Sequence, residues 1–395
     1  MTCDGQTTTP AYGVQEAFQM FYPSYAESHT LSEEQEKAAF SISSCKTGKL
    51  GYNISRCPEC GHLEIHACSC NNRHCPCCQY PLEQKWITQR ASEIIPDTAY
   101  YHVVFTIPSE LYDLVEANQK ELYGLMVRAS SDTLVKLCKD PKWLGAKPGI
   151  ISVLHTAGQK LNYHPHIHAI VTGGGLTSSG RFIKGPHKGF LIPTPVVARV
   201  FRAKYLEGLK SLWKKEKLIF PGKLSKLRNR YEWKEYIDSL FGKEWLPFLK
   251  ETFNGKGNAV KYLARYTFRT AINNSRIDSV DADGVTFHYK DYADGGKQKT
   301  MTMDGEEFIA AFLRHILPSG FHRVRFSGFL SNSVKAKSLA LIHKLLGSVY
   351  AGDPVKGKNM RDLIMYLFNR DICECPDCKG TMLRLARGVP LAFAN

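Results

Sequence analysis

The chain has 395 residues, 43% of them hydrophobic and 23% charged, and its 52 Lys and Arg against 37 Asp and Glu give a net charge of +15. That length exceeds the roughly 250–300 residues that one hydrophobic core sustains, so two or three domains are expected, and the composition excludes wholesale disorder. The excess of positive charge points to a polyanionic partner, nucleic acid above all.

The first residues, MTCDGQTTTP, hold no basic stretch followed by an apolar one. No signal peptide is therefore expected. No apolar run approaches the roughly 18–20 residues of a membrane span, so no membrane contact is expected either. Of 13 cysteines, seven lie between Cys57 and Cys78. Clustered thiols without a secretion signal read as metal ligands in a reducing compartment, which places the protein in the cytoplasm.

In chain order, 1–30 reads as an irregular arm, and 31–43 as a helix with Ser32 and Gln35 as a capping box. Residues 45–80 carry the cysteines, and Leu82 to Ile95 reads as a helix stopped by Pro96. The β-branched and aromatic run 99–107 predicts a strand, 110–138 a helix, and 149–155 and 166–174 two further strands. This order gives an α+β domain with an antiparallel sheet. Residues 197–250 read as a basic, mostly helical insertion, 258–272 as a helix, 285–292 and 297–303 as a hairpin, and 306–317 as a helix. The expected domains are 1–95 (arm and zinc-binding domain), 96–345 (catalytic domain with the insertion) and 346–395 (a tail with a CxxC).

Cys57-Pro-Glu-Cys60 and Cys75-Pro-Cys-Cys78 are two CxxC knuckles at a spacing that suits one structural Zn²⁺. Each supplies two thiolates from a tight turn, and Gly61 suits the left-handed conformation of such turns. Four protein ligands leave no open position, so this metal folds the domain. Cys70 or His74 is an alternative fourth ligand, and Cys77 points away. Cys68 has no assigned role, and the third CxxC, Cys375 and Cys378, cannot close a tetrahedron alone, so it needs partners elsewhere or is a vestige.

His166-Ile-His168 lies in a predicted strand, where residues i and i+2 share a face. Two imidazoles side by side make a metal platform with room for substrate oxygens. His155, at the end of the preceding strand, is a third ligand if the two strands pair; Gln159 is its rival. Tyr262-Leu-Ala-Arg-Tyr266 projects two phenols from one helix face. Lys261, Arg265 and Arg269 flank them and argue against a core position. Phenols beside a metal and arginines form a coherent site for covalent phosphoryl transfer. Lys214, Lys215, Arg228 and Arg230 sit among Trp213, Tyr231 and Trp233, a mixture that suits single-stranded DNA.

HPHIH followed by YLARYTFR, after CPECGH and SCNNRHCPCCQ, resembles the bacterial two-tyrosine HUH (His-hydrophobic-His) rolling-circle transposases, relatives of helitrons. The resemblance spans about 40–345 and includes YYHVVFTIP, GIISVLHTAGQ, VTFHYKDY and LPSGFHRVRFSGFL. It implies an HUH endonuclease domain with a central antiparallel sheet. It also implies Mg²⁺ or Mn²⁺ on His166 and His168, and Tyr262 and Tyr266 as nucleophiles that form 5′-phosphotyrosine links to single-stranded DNA at mobile-element ends and target sites. ATP is not required, and no GxxxxGK[ST] motif is present. A nucleoid-associated location follows from the same resemblance. The rival readings are a plasmid replication initiator or relaxase, and a zinc-dependent DNA-binding protein without catalysis.

Overall fold

A computed structural model describes residues 12–185, 192–245, 247–251 and 258–389. Part of the expected arm, residues 1–11, lies outside them.

The rest of that arm is helix α1 (Val14–Ser28), followed by α2 (Glu33–Ser44). The Ser32–Gln35 capping box forms in both directions at the start of α2. The arm folds because Val14, Ala17 and Phe18 are fully buried, with Phe18 edge-on to Phe312 at 5.1 Å. The N-terminal helices therefore share a core with elements some 250 residues later.

Strands β1 (Tyr52–Arg56) and β2 (Leu63–Ala67) form a hairpin, and helix α3 (Tyr80–Ala91) follows. Next come β3 (Tyr100–Thr106), α4 (Tyr112–Ala117) and α5 (Gln119–Lys139). A single helix was expected over the last two. Asn118 breaks it, because its side chain donates to Leu114 O and Ile219 O and accepts from Ile219 N. Strands β4 (Lys147–Ala157) and β5 (Tyr163–Leu176) are longer than expected, and β6 (Phe182–Lys184) returns along the end of β5. The insertion comprises α6 (Thr194–Lys214), α7 (Arg230–Phe241) and β7 (Phe248–Glu251). Helix α8 (Asn258–Phe268) precedes a three-stranded meander of β8 (Ile277–Asp281), β9 (Gly284–Asp291) and β10 (Lys297–Met303). The chain ends with α9 (Gly305–Leu313), β11 (Val324–Gly328), α10 (Lys335–Leu345), α11 (Met360–Phe368) and β12 (Leu383–Val389).

The fold is α+β, as the sequence predicts. Its central sheet is antiparallel, in the order β11-β4-β5-β3-β7. Successive side chains of each strand point to opposite faces. Phe105, Leu154, Ile167, Ala169 and Val171 face a large core under α5 and α6. Ile151, Val153 and Ile170 face the other way, against Leu263 of α8 and Leu339 and Ile342 of α10. The two site histidines belong to this second face.

The expected C-terminal tail is not one. Strand β12 pairs antiparallel with β1, so the last described strand completes the N-terminal sheet β12-β1-β2.

Candidate metal centre and tyrosine pair

Strand β5 lies between β4 and β3, with His155 opposite His166, Val153 opposite His168, and His102 opposite Ile170. Its period of two brings His166 and His168 to one face. The β4–β5 hairpin adds His155, so the ligand atoms of all three histidines lie within 4.8 Å of one another. Gln159, the rival, is engaged elsewhere: its Oε1 accepts from Lys290 N and its carbonyl from Arg276.

The hydrogen bonds orient these rings. His166 Nδ1–H donates to His164 O at 2.6 Å. His168 Nδ1 lies 2.9 Å from His102 Nε2. The two Nε2 atoms converge at 3.0 Å, a separation that a shared proton or a bound cation satisfies. His155 is buried, and neither of its ring nitrogens has a hydrogen-bond partner among the described residues. Burial holds His155 and His168 well below the ordinary histidine range and takes His166 to about 3. All three rings are thus neutral, the form that binds a metal. An orphaned imidazole beside two converging ring nitrogens fits a divalent cation.

Helix α8 crosses this face. Leu263 and Ala264 are buried against it, while Lys261 and Arg265 are exposed. Positions i and i+4 put Tyr262 and Tyr266 together, their hydroxyls 2.9 Å apart. Tyr266 stacks on His168 and meets His155 edge-on. Tyr262 meets His102 edge-on at 4.9 Å. Desolvation, then the bond to Tyr266, raises the Tyr262 phenol above its ordinary value. Arg269, half-buried, donates Nε–H to Asn273 Oδ1, and burial lowers its guanidinium. Arg265 and Arg269 line a cavity of about 310 Å³ with His74, Gln79, Tyr80 and Glu83.

The cysteines pair differently from the sequence reading. Cys75 and Cys78 join Cys45 and Cys70, whereas Cys57 and Cys60 lie beside Cys375 and Cys378. A single site on Cys57, Cys60, Cys75 and Cys78 is therefore corrected: the β1–β2 hairpin carries the first knuckle to the sheet that β12 completes, away from the second. The alternative ligand Cys70 is in the cluster. His74 is not; its Nδ1 bonds Thr270 Oγ1 and its Nε2 accepts from Leu317 N. Cys77 turns toward Gln15 and Asn274. Sulfurs of Cys70 and Cys78 are 3.7 Å apart, close to the edge of about 3.8 Å of a tetrahedron with Zn–S near 2.3 Å.

The basic insertion stands apart from the tyrosines. Lys214, Lys215, Arg228 and Arg230 are exposed, on elements packed over the opposite face of the sheet. Trp213 and Trp233 do not face solvent as expected. They stack on each other at 5.5 Å, and the Trp213 indole donates to Leu227 O. Tyr231 alone of these aromatics is well exposed, at 80%.

A family model described as "Transposase zinc-binding domain" matches residues 17–107, and one described as "Putative transposase" matches 149–338. The chain is 39% identical over 376 residues to "Putative transposase y4qJ" of Sinorhizobium fredii, covering 94% of each chain. The chain belongs to this family of transposases. It is also 27% identical over 391 residues to the "Transposase for insertion sequence element IS801" of Pseudomonas savastanoi pv. phaseolicola, covering 96% of this chain and 91% of that one. No solved structure matches. The first family match makes the N-terminal cysteine domain of this transposase a zinc-binding domain, and Cys45, Cys70, Cys75 and Cys78 would hold the structural ion. No helix among the described residues is long and apolar enough to cross a membrane.

Three residues of the transposase escaped the sequence reading. Cys45 stands apart from any CxxC pair. His102 lay in a stretch similar to the family but in no motif. Arg323 donates Nη1–H to Thr267 O and Arg269 O, capping the C-terminal end of α8 with a cation. Burial, then Arg73, brings its guanidinium down to about 10, which leaves it charged near neutral pH.

Proposed function

We propose that this transposase cuts and rejoins single-stranded DNA at insertion-sequence ends and target sites, with Tyr262 and Tyr266 as nucleophiles, in rolling-circle transposition. The observation that carries this reading is the tyrosine pair on α8, with Tyr266 seated directly on His168 and His155 and Tyr262 on His102. A phenolic oxygen attacks the phosphorus, the Tyr–O–P bond forms, and the P–O3′ bond breaks. The DNA keeps a 5′-phosphotyrosine, and the leaving 3′ oxygen takes up a proton. Attack of a 3′-OH on that link reverses the exchange. One P–O bond forms for each broken, so no ATP is consumed. The second tyrosine holds another strand in the same way.

His155, His166 and His168 would hold the divalent cation, Mg²⁺ or Mn²⁺, and bound there it would withdraw charge from a phosphate oxygen. The chain's own residues do the rest. The raised Tyr262 phenol stays protonated at neutral pH, so it loses its proton as it attacks. Arg265 and Arg269 offset the phosphate charge. Exposed Lys214, Lys215, Arg228 and Arg230 provide a separate basic surface for DNA. Such a protein works in the cytoplasm at the nucleoid.

The test is incubation with single-stranded oligonucleotides carrying the element's ends and Mn²⁺ or Mg²⁺, followed by a denaturing gel. A covalent adduct is expected, together with joined products from two ends. Adduct without joining favours a replication initiator or relaxase. No adduct with any end or metal overturns the catalytic reading and leaves a zinc-dependent DNA-binding protein.

A further inference from the structure

Two cysteine pairs far apart in sequence meet at the sheet formed by β12, β1 and β2. Cys57 Sγ lies 3.4 Å from Cys378 Sγ, and Cys60 Sγ lies 3.6 Å from Cys375 Sγ. All four sulfurs fall within 4.8 Å of one another. These separations approach the edge of about 3.8 Å expected for thiolates around Zn²⁺.

The two CxxC segments are the same turn built twice. In the first, Cys57 N donates to His62 O at 2.8 Å and Gly61 N to Cys57 O at 3.0 Å. In the second, Cys375 N donates to Gly380 O at 2.7 Å and Lys379 N to Cys375 O at 3.0 Å. The fifth residue is left-handed in both, with φ of 76° at Gly61 and 65° at Lys379. Glycine adopts this conformation freely, but a lysine there is strained by roughly 1 kcal/mol and needs its surroundings to hold it. Each turn closes a pair of strand segments, Arg56 with Leu63 and Glu374 with Thr381. The tips touch through His62 Nδ1 and Asp377 Oδ2 at 2.7 Å.

Apolar burial does not account for this assembly. Its buried cluster is only Cys57, Cys375 and Met382, while Leu63, Ile65, Leu383 and Leu385 are exposed. Modules with so small a core are held by metals or disulfides. We propose that Cys57, Cys60, Cys375 and Cys378 bind a second Zn²⁺, a clasp that fastens the C-terminal segment to the N-terminal zinc-binding domain. The N-terminal half of the chain cannot complete this site, so the clasp forms only after the last knuckle has been made.

Metal analysis of the purified full-length protein tests this. Two zinc equivalents per chain are expected, falling to one in C375S/C378S, with Cys45, Cys70, Cys75 and Cys78 retaining theirs. Two equivalents in that variant, or one in the unaltered chain, overturn the proposal. Should the variant not fold, titration of the unaltered apoprotein with Co²⁺ decides. Absorbance from tetrahedral thiolate-bound cobalt should rise through two equivalents, and saturation at one overturns the clasp. Neither readout depends on DNA cleavage.

Discussion

Tyr266 lies flat on His168, ring centroids 3.6 Å apart and planes 26° from parallel. A nucleophile candidate and a metal-ligand candidate, 98 residues apart in sequence, are thereby in direct contact. Tyr262 reaches the same ring through His102.

The two phenols should be partly interchangeable. Tyr262→Phe or Tyr266→Phe alone is expected to lower adduct formation and abolish joining, while the double variant lowers adduct by about 10³-fold or more, as removal of a nucleophile does. Quantitative gels of single-turnover reactions measure this. An undiminished adduct in the double variant moves the nucleophile elsewhere.

His102 would act as a positioning residue for a metal on His168. For His168 to offer Nε2, its Nδ1 must carry the proton and donate to His102 Nε2. Loss of such a partner typically costs about 10–100-fold in metal affinity. His102→Phe should therefore weaken Mn²⁺ binding by that factor, read by calorimetry, with the zinc content unchanged. His155→Ala should weaken it further and Gln159→Ala should not.

Helix α8 depends on its buried seam. Leu263 is 1% exposed, against the face formed by Ile151, Val153 and Ile170. Leu263→Ala should cost about 2–5 kcal/mol of stability, measured by urea unfolding. Adduct formation should fall with it, because the seam holds both tyrosines over the histidines.

Acid should loosen the β4–β5 hairpin through His315. Its Nε2–H donates to Leu161 O, and its Nδ1 lies 3.0 Å from Thr156 Oγ1. Burial takes its pKa down to about 4 from 6.5. The unfolded chain binds the proton more readily, so the His315 contribution is complete above about pH 6.5 and is lost as pH falls toward 4. The loss is of order 1–3 kcal/mol. His315→Gln should be less stable at pH 7.5 yet show a shallower decline between pH 7 and 5, followed by thermal unfolding. An equally steep decline assigns the effect to other buried histidines such as His74.

Local periodicity made much of the site legible. The HxH pair needs only the period of two in β5, and the YxxxY pair only the helical turn of α8. Pairing of β4 with β5 follows from their short connection, which is why His155 could be anticipated. In place of an irregular arm, the described part of 1–30 is helix α1, helical through packing on Phe312, a partner no local pattern announces. For Trp213 and Trp233, alternation of cations and aromatics looks alike on a DNA-binding face and on an amphipathic element, and only the core behind α6 and α7 tells them apart.

By itself, then, the sequence determined the candidate groups: a histidine pair on one strand face, two phenols on one helix face, and thiol knuckles for zinc. All of these depend on residue type and spacings of a few residues. Tertiary structure alone decided which knuckle met which. A CxxC turn supplies two of four ligands, and its partner is chosen by strand pairing and helix packing across the chain. That is why Cys57 and Cys60 meet Cys375 and Cys378, while Cys75 and Cys78 meet Cys45 and Cys70.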